Sequence, residues 1–388
     1  MNFIGNRDSS FMGRIRQFVG MLLILLNWAA AQNYTPADAV ALEQHGNLAE
    51  AARAWEFVTR HNPRDAGAFA SFGVVLSKQE RYAEAAAAYR KALSLDPKLP
   101  GVSLNLGLAE FKQAHFHQAI PPLKVAVTSA PNVQARTLLG LSYYADKQFA
   151  KAATHLEIAA RSNPENTELQ LTLAQACLAA KRYPCALEGF REILRREPDS
   201  AAAHMLMGEA LDGLGKTPEA IAEFQAAARV APGQPDVHFG LGYLYWKSHS
   251  YEDAVRELQA ELSLDPRHAQ SLLYLGDIEM KRNDLDAALD YLRKCIEIDK
   301  SIRLAYVDMG AVFFQQKAYP NAVSALKRAI ELDPSSPDAH YRLGQVYRAL
   351  GESAEAQKEF ENVRRLHEKQ DQNLAEKIPS ASNSLSVH

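Results

Sequence analysis

Residues 242–266 read GYLYWKSHSYEDAVRELQAELSLDP, and four features of that string decide the fold. Gly242 is followed twelve residues later by Ala254, four further by Leu258, and the string closes at Pro266. The same set returns along most of the chain. Its small residue stands at Gly73, Gly107, Gly140, Ala174, Gly208, Gly242, Gly276, Gly310 and Gly344, with a step of 34 everywhere except for one of 33 before Gly140. Its alanine runs from Ala85 through Ala119, Ala152, Ala186, Ala220, Ala254, Ala288 and Ala322 to Ala356. Its large apolar residue runs from Tyr89 through Leu123, Leu156, Phe190, Phe224, Leu258, Leu292 and Leu326 to Phe360. An earlier, weaker unit supplies Ala39, Ala51, Trp55 and Pro63. A period of this length is the mark of a repeat architecture.

The repeated residue types have a steric meaning. A small residue on one helix and alanine on the next let two backbones approach closely, while the bulky residue fills the space beside them. Prolines at 97, 131, 164, 198, 232, 266 and 334 cannot continue a helix, and they bias the preceding residue away from it. Pro100, Pro235 and Pro337 are placed to open first helices, where a missing N–H is no loss. In the seventh unit the pattern predicts helices over 236–248 and 251–264. Two features depart from regularity. Pro121-Pro122 falls inside a second helix, implying either a kink or a late-starting helix, and the one-residue deletion follows it. Lys300 and Glu368 stand where closing prolines are expected.

These positions resemble the tetratricopeptide repeat, a 34-residue helix-turn-helix, over roughly residues 32–370. The resemblance implies an all-α fold, a right-handed α-α superhelical solenoid of about ten units. Each hairpin exposes apolar surface that only its neighbours can cover. The first helix of each unit is expected to line a concave groove, with unit positions 2, 5, 9 and 12 facing a partner. Those positions supply the candidate site residues Phe111, Tyr144, Phe239, Tyr243, Trp246, Phe314, Tyr341 and Arg348. Phe239, Tyr243 and Trp246 share one helix face and form the most aromatic triplet. The stripe reads either as open groove or as core covered by neighbouring helices. It lacks the Lys/Asn/Arg clamp of chaperone-binding relatives and the asparagine ladder of the O-GlcNAc transferase arm.

Composition bounds the remainder. Hydrophobic residues make up 47% and charged residues 23%, as in ordinary soluble protein, and a net charge of −3 gives no reason to expect nucleic acid. At the N-terminus, Arg7, Arg14 and Arg16 precede the apolar run Phe18–Leu26 and then Ala29-Ala30-Ala31. This reads as a signal peptide over 1–31 cut before Gln32, with an uncleaved membrane anchor as the alternative. Export to the periplasm or the exterior follows, with no membrane insertion after cleavage. Residues 371–388, rich in Ser and Asn, read as a disordered tail. Three cysteines cannot all pair, and Cys177 and Cys185 are expected as small buried apolar side chains rather than a bridge.

Other motifs dissolve on inspection. Ala210-Leu-Asp-Gly-Leu-Gly-Lys216-Thr217 lacks the first glycine of a P-loop and falls on a hairpin turn, not after a strand. Gly240-Leu-Gly242 lacks a third glycine. His115 and His117 read as a solvated pair. His204, His238 and His340 share one repeat position, too far apart for one metal, and read as core or half-buried histidines. No catalytic residue, metal or cofactor is expected. The leading reading is a non-catalytic scaffold that holds other proteins or peptides. The alternative is a carbohydrate- or polymer-binding envelope factor. Neither fixes the oligomeric state.

Overall fold

The small and large repeat positions meet as their chemistry requires. A β-carbon added at Gly73, Gly107, Gly140, Gly208, Gly242, Gly276, Gly310 or Gly344 would lie only 2.4–2.8 Å from the bulky side chain sixteen residues on. The repeat alanines from Ala85 to Ala322 are fully buried beside these contacts. The glycine is thus a space requirement, because any side chain there would displace the partner helix.

A computed structural model describes residues 33–130 and 132–377; the expected signal segment and the last eleven residues lie outside them. Among the described residues the chain forms twenty helices and no strand. They are α1 (Pro36–Gln44), α2 (Leu48–His61), α3 (Ala66–Lys78), α4 (Tyr82–Leu95), α5 (Val102–Lys112), α6 (Phe116–Ser129), α7 (Val133–Ala145), α8 (Phe149–Ser162), α9 (Thr167–Ala179) and α10 (Tyr183–Arg196). The series continues with α11 (Ala201–Gly213), α12 (Thr217–Val230), α13 (Val237–Lys247), α14 (Tyr251–Leu264), α15 (Ala269–Lys281), α16 (Leu285–Ile298), α17 (Arg303–Gln315), α18 (Tyr319–Leu332), α19 (Pro337–Leu350) and α20 (Ser353–Lys377). Odd-numbered helices are the first of each hairpin and even-numbered ones the second. Two compact units result, one ending at Ala176 and one starting at Cys177, so the boundary falls within α9.

Each hairpin turns through a left-handed residue at one repeat position. Three of these ten are Gly46, Gly215 and Gly351, whereas Glu80, Ala114, Lys147, Lys181, His249, Asn283 and Lys317 hold φ between 58° and 64°. Non-glycine residues there crowd Cβ against the carbonyl.

Four expectations change. Pro337 does open α19, but Pro100 and Pro235 do not open helices. Left-handed Gly101 and Asp236 intervene, and α5 and α13 start later, at Val102 and Val237. The predicted start at 236 is therefore one residue early. The late-starting helix at Pro121-Pro122 is not found, since α6 begins at Phe116 and runs through both prolines. Their missing N–H groups free the carbonyls of His117 and Gln118, both on exposed residues where water can bond them. The last helix continues to Lys377, past the expected boundary at 370. Finally, Cys177 and Cys185 form a disulfide with their Cα atoms 5.8 Å apart. The tight turn through Lys181 brings the two helix ends within bridging reach. Cys295 is free and buried, and burial pushes its thiol up to about 12, with help from Asp299 and Asp308.

Candidate partner-binding site

Helix α13 presents the aromatic triplet, and its start is fixed in an unusual way. Asp236, at φ 66°, makes no side-chain cap. The buried carboxylate of Glu261 on α14 replaces it, accepting from the backbone N–H of Asp236 at 3.2 Å and of Phe239 at 3.1 Å. A carboxylate suits the positive end of the helix. His268 Nδ1 receives Ser271 N–H at 3.2 Å, which leaves its Nε2–H to donate to Asp236 Oδ1 at 3.2 Å. Asp236, Glu261 and His268 thus bring ligand atoms within 4.8 Å of one another, a grouping the sequence reading missed. Their hydrogen bonds account for it as a helix-start cap.

Phe239, Tyr243 and Trp246 are all half-buried. The three rings gather on Tyr274 of α15, at centroid distances of 6.0, 5.5 and 4.8 Å. Tyr274 was not singled out from sequence, because its repeat position is not a groove position in the family pattern. Trp246 donates its indole N–H to Asp277 Oδ2 at 2.5 Å. Lys281 Nζ lies 2.7 Å from the same carboxylate and 5.7 Å from the Trp246 ring centre. Burial, then Tyr243 and Asp277, raise the Tyr274 hydroxyl.

The other candidates sort differently. Phe111, Tyr144 and Phe314 pack on Phe116, Phe149 and Tyr319, the first residue of the following helix, at 5.4, 5.6 and 5.9 Å. They brace their own hairpins. Tyr341 is 50% exposed, and its ring and the Arg348 guanidinium each stand 5.9 Å from the Phe360 ring. Phe111 and Tyr144 belong to the first compact unit and the remainder to the second.

A cleft of about 520 Å³ opens beside the triplet in the second unit. Met205, Glu209 and Asp212 line it from α11, Phe239, Gly240, Tyr243 and Leu244 from α13, with Phe224, Asp236, His268 and Gln270. Asp212 is paired with Lys247 at 2.7 Å. Burial within the protein, then the charge of Asp236, hold the Glu209 carboxyl above its ordinary value. Farther along, Asp308 on α17 is pushed up to about 7 by burial and by Asp277, against Arg342 and Lys281.

The motifs set aside from sequence have packing explanations. A β-carbon at Gly240 would lie 2.2 Å from the Phe224 ring, and one at Gly213 would meet Tyr183 at 2.3 Å. His115 and His117 face different carboxylates, Glu110 and Asp146, each at 3.2 Å. His204, His238 and His340 each pair through Nδ1 with a glutamate nineteen residues on, Glu223, Glu257 and Glu359, at 2.6, 2.8 and 2.5 Å. These ties join the two helices of a hairpin, in keeping with half-buried or core histidine.

Profiles of the tetratricopeptide repeat match residues 73–113 and 310–351, 104–154 and 239–301, 143–210, and 338–369. Among solved structures, the Cut9 and Hcn1 hetero-tetramer of the APC/C is similar at 14% identity, covering 85% of this chain and 80% of that one, with a TM-score of 0.51. That likeness is one of fold. Yeast Tom70 matches at 14% identity over 85% of this chain and 91% of its own, with a TM-score of 0.43. MamA from Desulfovibrio magneticus RS-1 matches at 22% identity over 44% and 97%, with a TM-score of 0.41. Compared with curated proteins, the sequence finds no match. Repeat spacing, helix pairs and profile matches agree, and the chain is built of tetratricopeptide repeats.

Proposed function

We propose that the mature chain is an exported, non-catalytic scaffold that holds an extended segment of another protein against the first-helix face of its second unit. The observation that carries this is the cleft beside Phe239 and Tyr243, where aromatic rings that would otherwise be core stay half-exposed next to about 520 Å³ of open space. Rigid aromatic side chains at a recess supply large contact area with little ordering entropy, the usual basis of binding hot spots. Tetratricopeptide repeats are a fold for protein partners, which agrees with this use. The disulfide at Cys177–Cys185 supports an oxidising compartment, in agreement with the signal-like N-terminus.

The test is capture from a cell-envelope extract by the mature chain and by Tyr243→Ala. A protein retained by the first and lost by the second, with an unchanged melting temperature, is the expected result. Retention of polysaccharide instead would favour the carbohydrate-binding alternative. Equal capture by both chains would remove Tyr243 from the binding face. N-terminal sequencing of the secreted chain should begin at or near Gln32.

A further inference from the structure

We propose that the cleft between α11, α13 and α15 receives one basic side chain, lysine or arginine, from that extended partner segment. The inference rests on the reading of this face as a partner-binding surface and specifies the chemistry of one residue of the partner. Shape and charge agree. The thioether of Met205 and the rings of Phe239 and Tyr243 offer an apolar passage for a methylene stem, and ring faces attract a cation at its end. Three carboxylates share the space, those of Glu209, Asp212 and Asp236. Lys247 answers Asp212, and His268 stands beside Asp236 at 3.2 Å. Glu209 has neither an ion pair nor a hydrogen bond among the described residues. The residue keeps part of its surface in solvent while its carboxyl is partly desolvated in the cleft lining, so it is open to an incoming charge. Glu209 is held above its ordinary value first by burial and then by Asp236, which repels its ionised form, and a cation in the cleft would ease that repulsion. An acidic or apolar side chain would leave that repulsion in place.

The probe is a labelled, end-blocked decapeptide of alternating lysine and alanine, set against the same peptide with glutamine for lysine, each titrated into the full mature chain by fluorescence anisotropy. The lysine peptide should bind at least about tenfold more tightly, the worth of one charge-assisted contact. Glu209→Gln should erase that preference while leaving the melting temperature unchanged or higher, and Glu355→Gln, remote on α20, should preserve it. Asp236→Asn provides a second, independent reduction of the preference. Equal binding of the two peptides to the wild-type chain overturns the inference, as does a lysine preference that survives Glu209→Gln. If either occurs while partner capture still depends on Tyr243, the partner-binding reading stands and the basic-residue assignment alone falls.

Discussion

Trp246 Nε1 and Asp277 Oδ2 lie 2.5 Å apart, joining the twelfth position of one repeat to the ninth position of the next. The first unit repeats the relation thirty-one residues apart, with the Tyr144 hydroxyl donating to Gln175 Oε1 at 3.3 Å. Positions that the family pattern assigns to a partner are here also inter-repeat ties. Trp246→Phe keeps the ring on Tyr274 but removes the donor, so stability should fall by about 0.5–1.5 kcal/mol in urea unfolding. Partner capture should persist, which separates Trp246 from Tyr243.

Gly242 faces Leu258 across a hairpin, with a β-carbon there 2.6 Å from Leu258 Cγ and 3.2 Å from its backbone nitrogen. Gly242→Ala should cost about 1–3 kcal/mol by overpacking. In a Leu258→Ala background the same change should cost less, because the clashing side chain is gone, and a double-mutant cycle reads the difference. Hydrogen exchange should rise most in α13, α14 and their nearest repeats.

Two groups give the pH dependence opposite signs. Asp308 titrates near 7 in the fold against 3.8 as its ordinary value, so its contribution is fully present below about 4 and lost as pH rises through 7. Asp308→Asn should therefore stabilise the chain by roughly 1–3 kcal/mol at pH 8 and leave it unchanged near pH 4. His155, whose Nδ1 is buried without a hydrogen-bond partner among the described residues, has its imidazole lowered by burial and then by Arg136. It disfavours the fold once pH drops below about 6.5, the ordinary histidine value. His155→Leu should flatten that acid limb, as read by denaturant midpoints from pH 5 to 8.

The Cys177–Cys185 disulfide closes a loop of sequence separation 8. By loop-closure entropy, its removal should cost about 2.5 kcal/mol. Cys177→Ala/Cys185→Ala and the reduced wild-type chain should melt at the same lower temperature. Cys295→Ala should not reproduce the effect, and free-thiol titration of the unfolded, unreduced chain should find one thiol.

How much of this was legible depended on whether one residue type or a pairing carried the information. Gly242, Ala254 and Leu258 stand where few other residues fit, so the repeat and its helix ends could be read almost to the residue. The late start of α13 could not, because nothing in the string Pro235-Asp236 announces a left-handed aspartate capped by Glu261 from the next helix. The disulfide was missed for a similar reason, since only the turn at Lys181 decides whether two cysteines meet. At the site, the aromatic triplet was visible as a periodicity. Its convergence on Tyr274 and the unpaired charge of Glu209 were not, because each depends on a neighbouring repeat.

The seven non-glycine left-handed turns leave room for engineering. Each holds a conformation disfavoured by about 1–2 kcal/mol for an L-residue, although Asn283 tolerates it better. Lying in separate hairpins, they should behave as nearly independent adjustments rather than as one coupled defect. The array is thus less stable than its helix packing permits, and the shortfall is spread along it in small, separate portions. A protein engineer could restore it turn by turn, beginning with Ala114→Gly, without touching the face proposed to meet a partner.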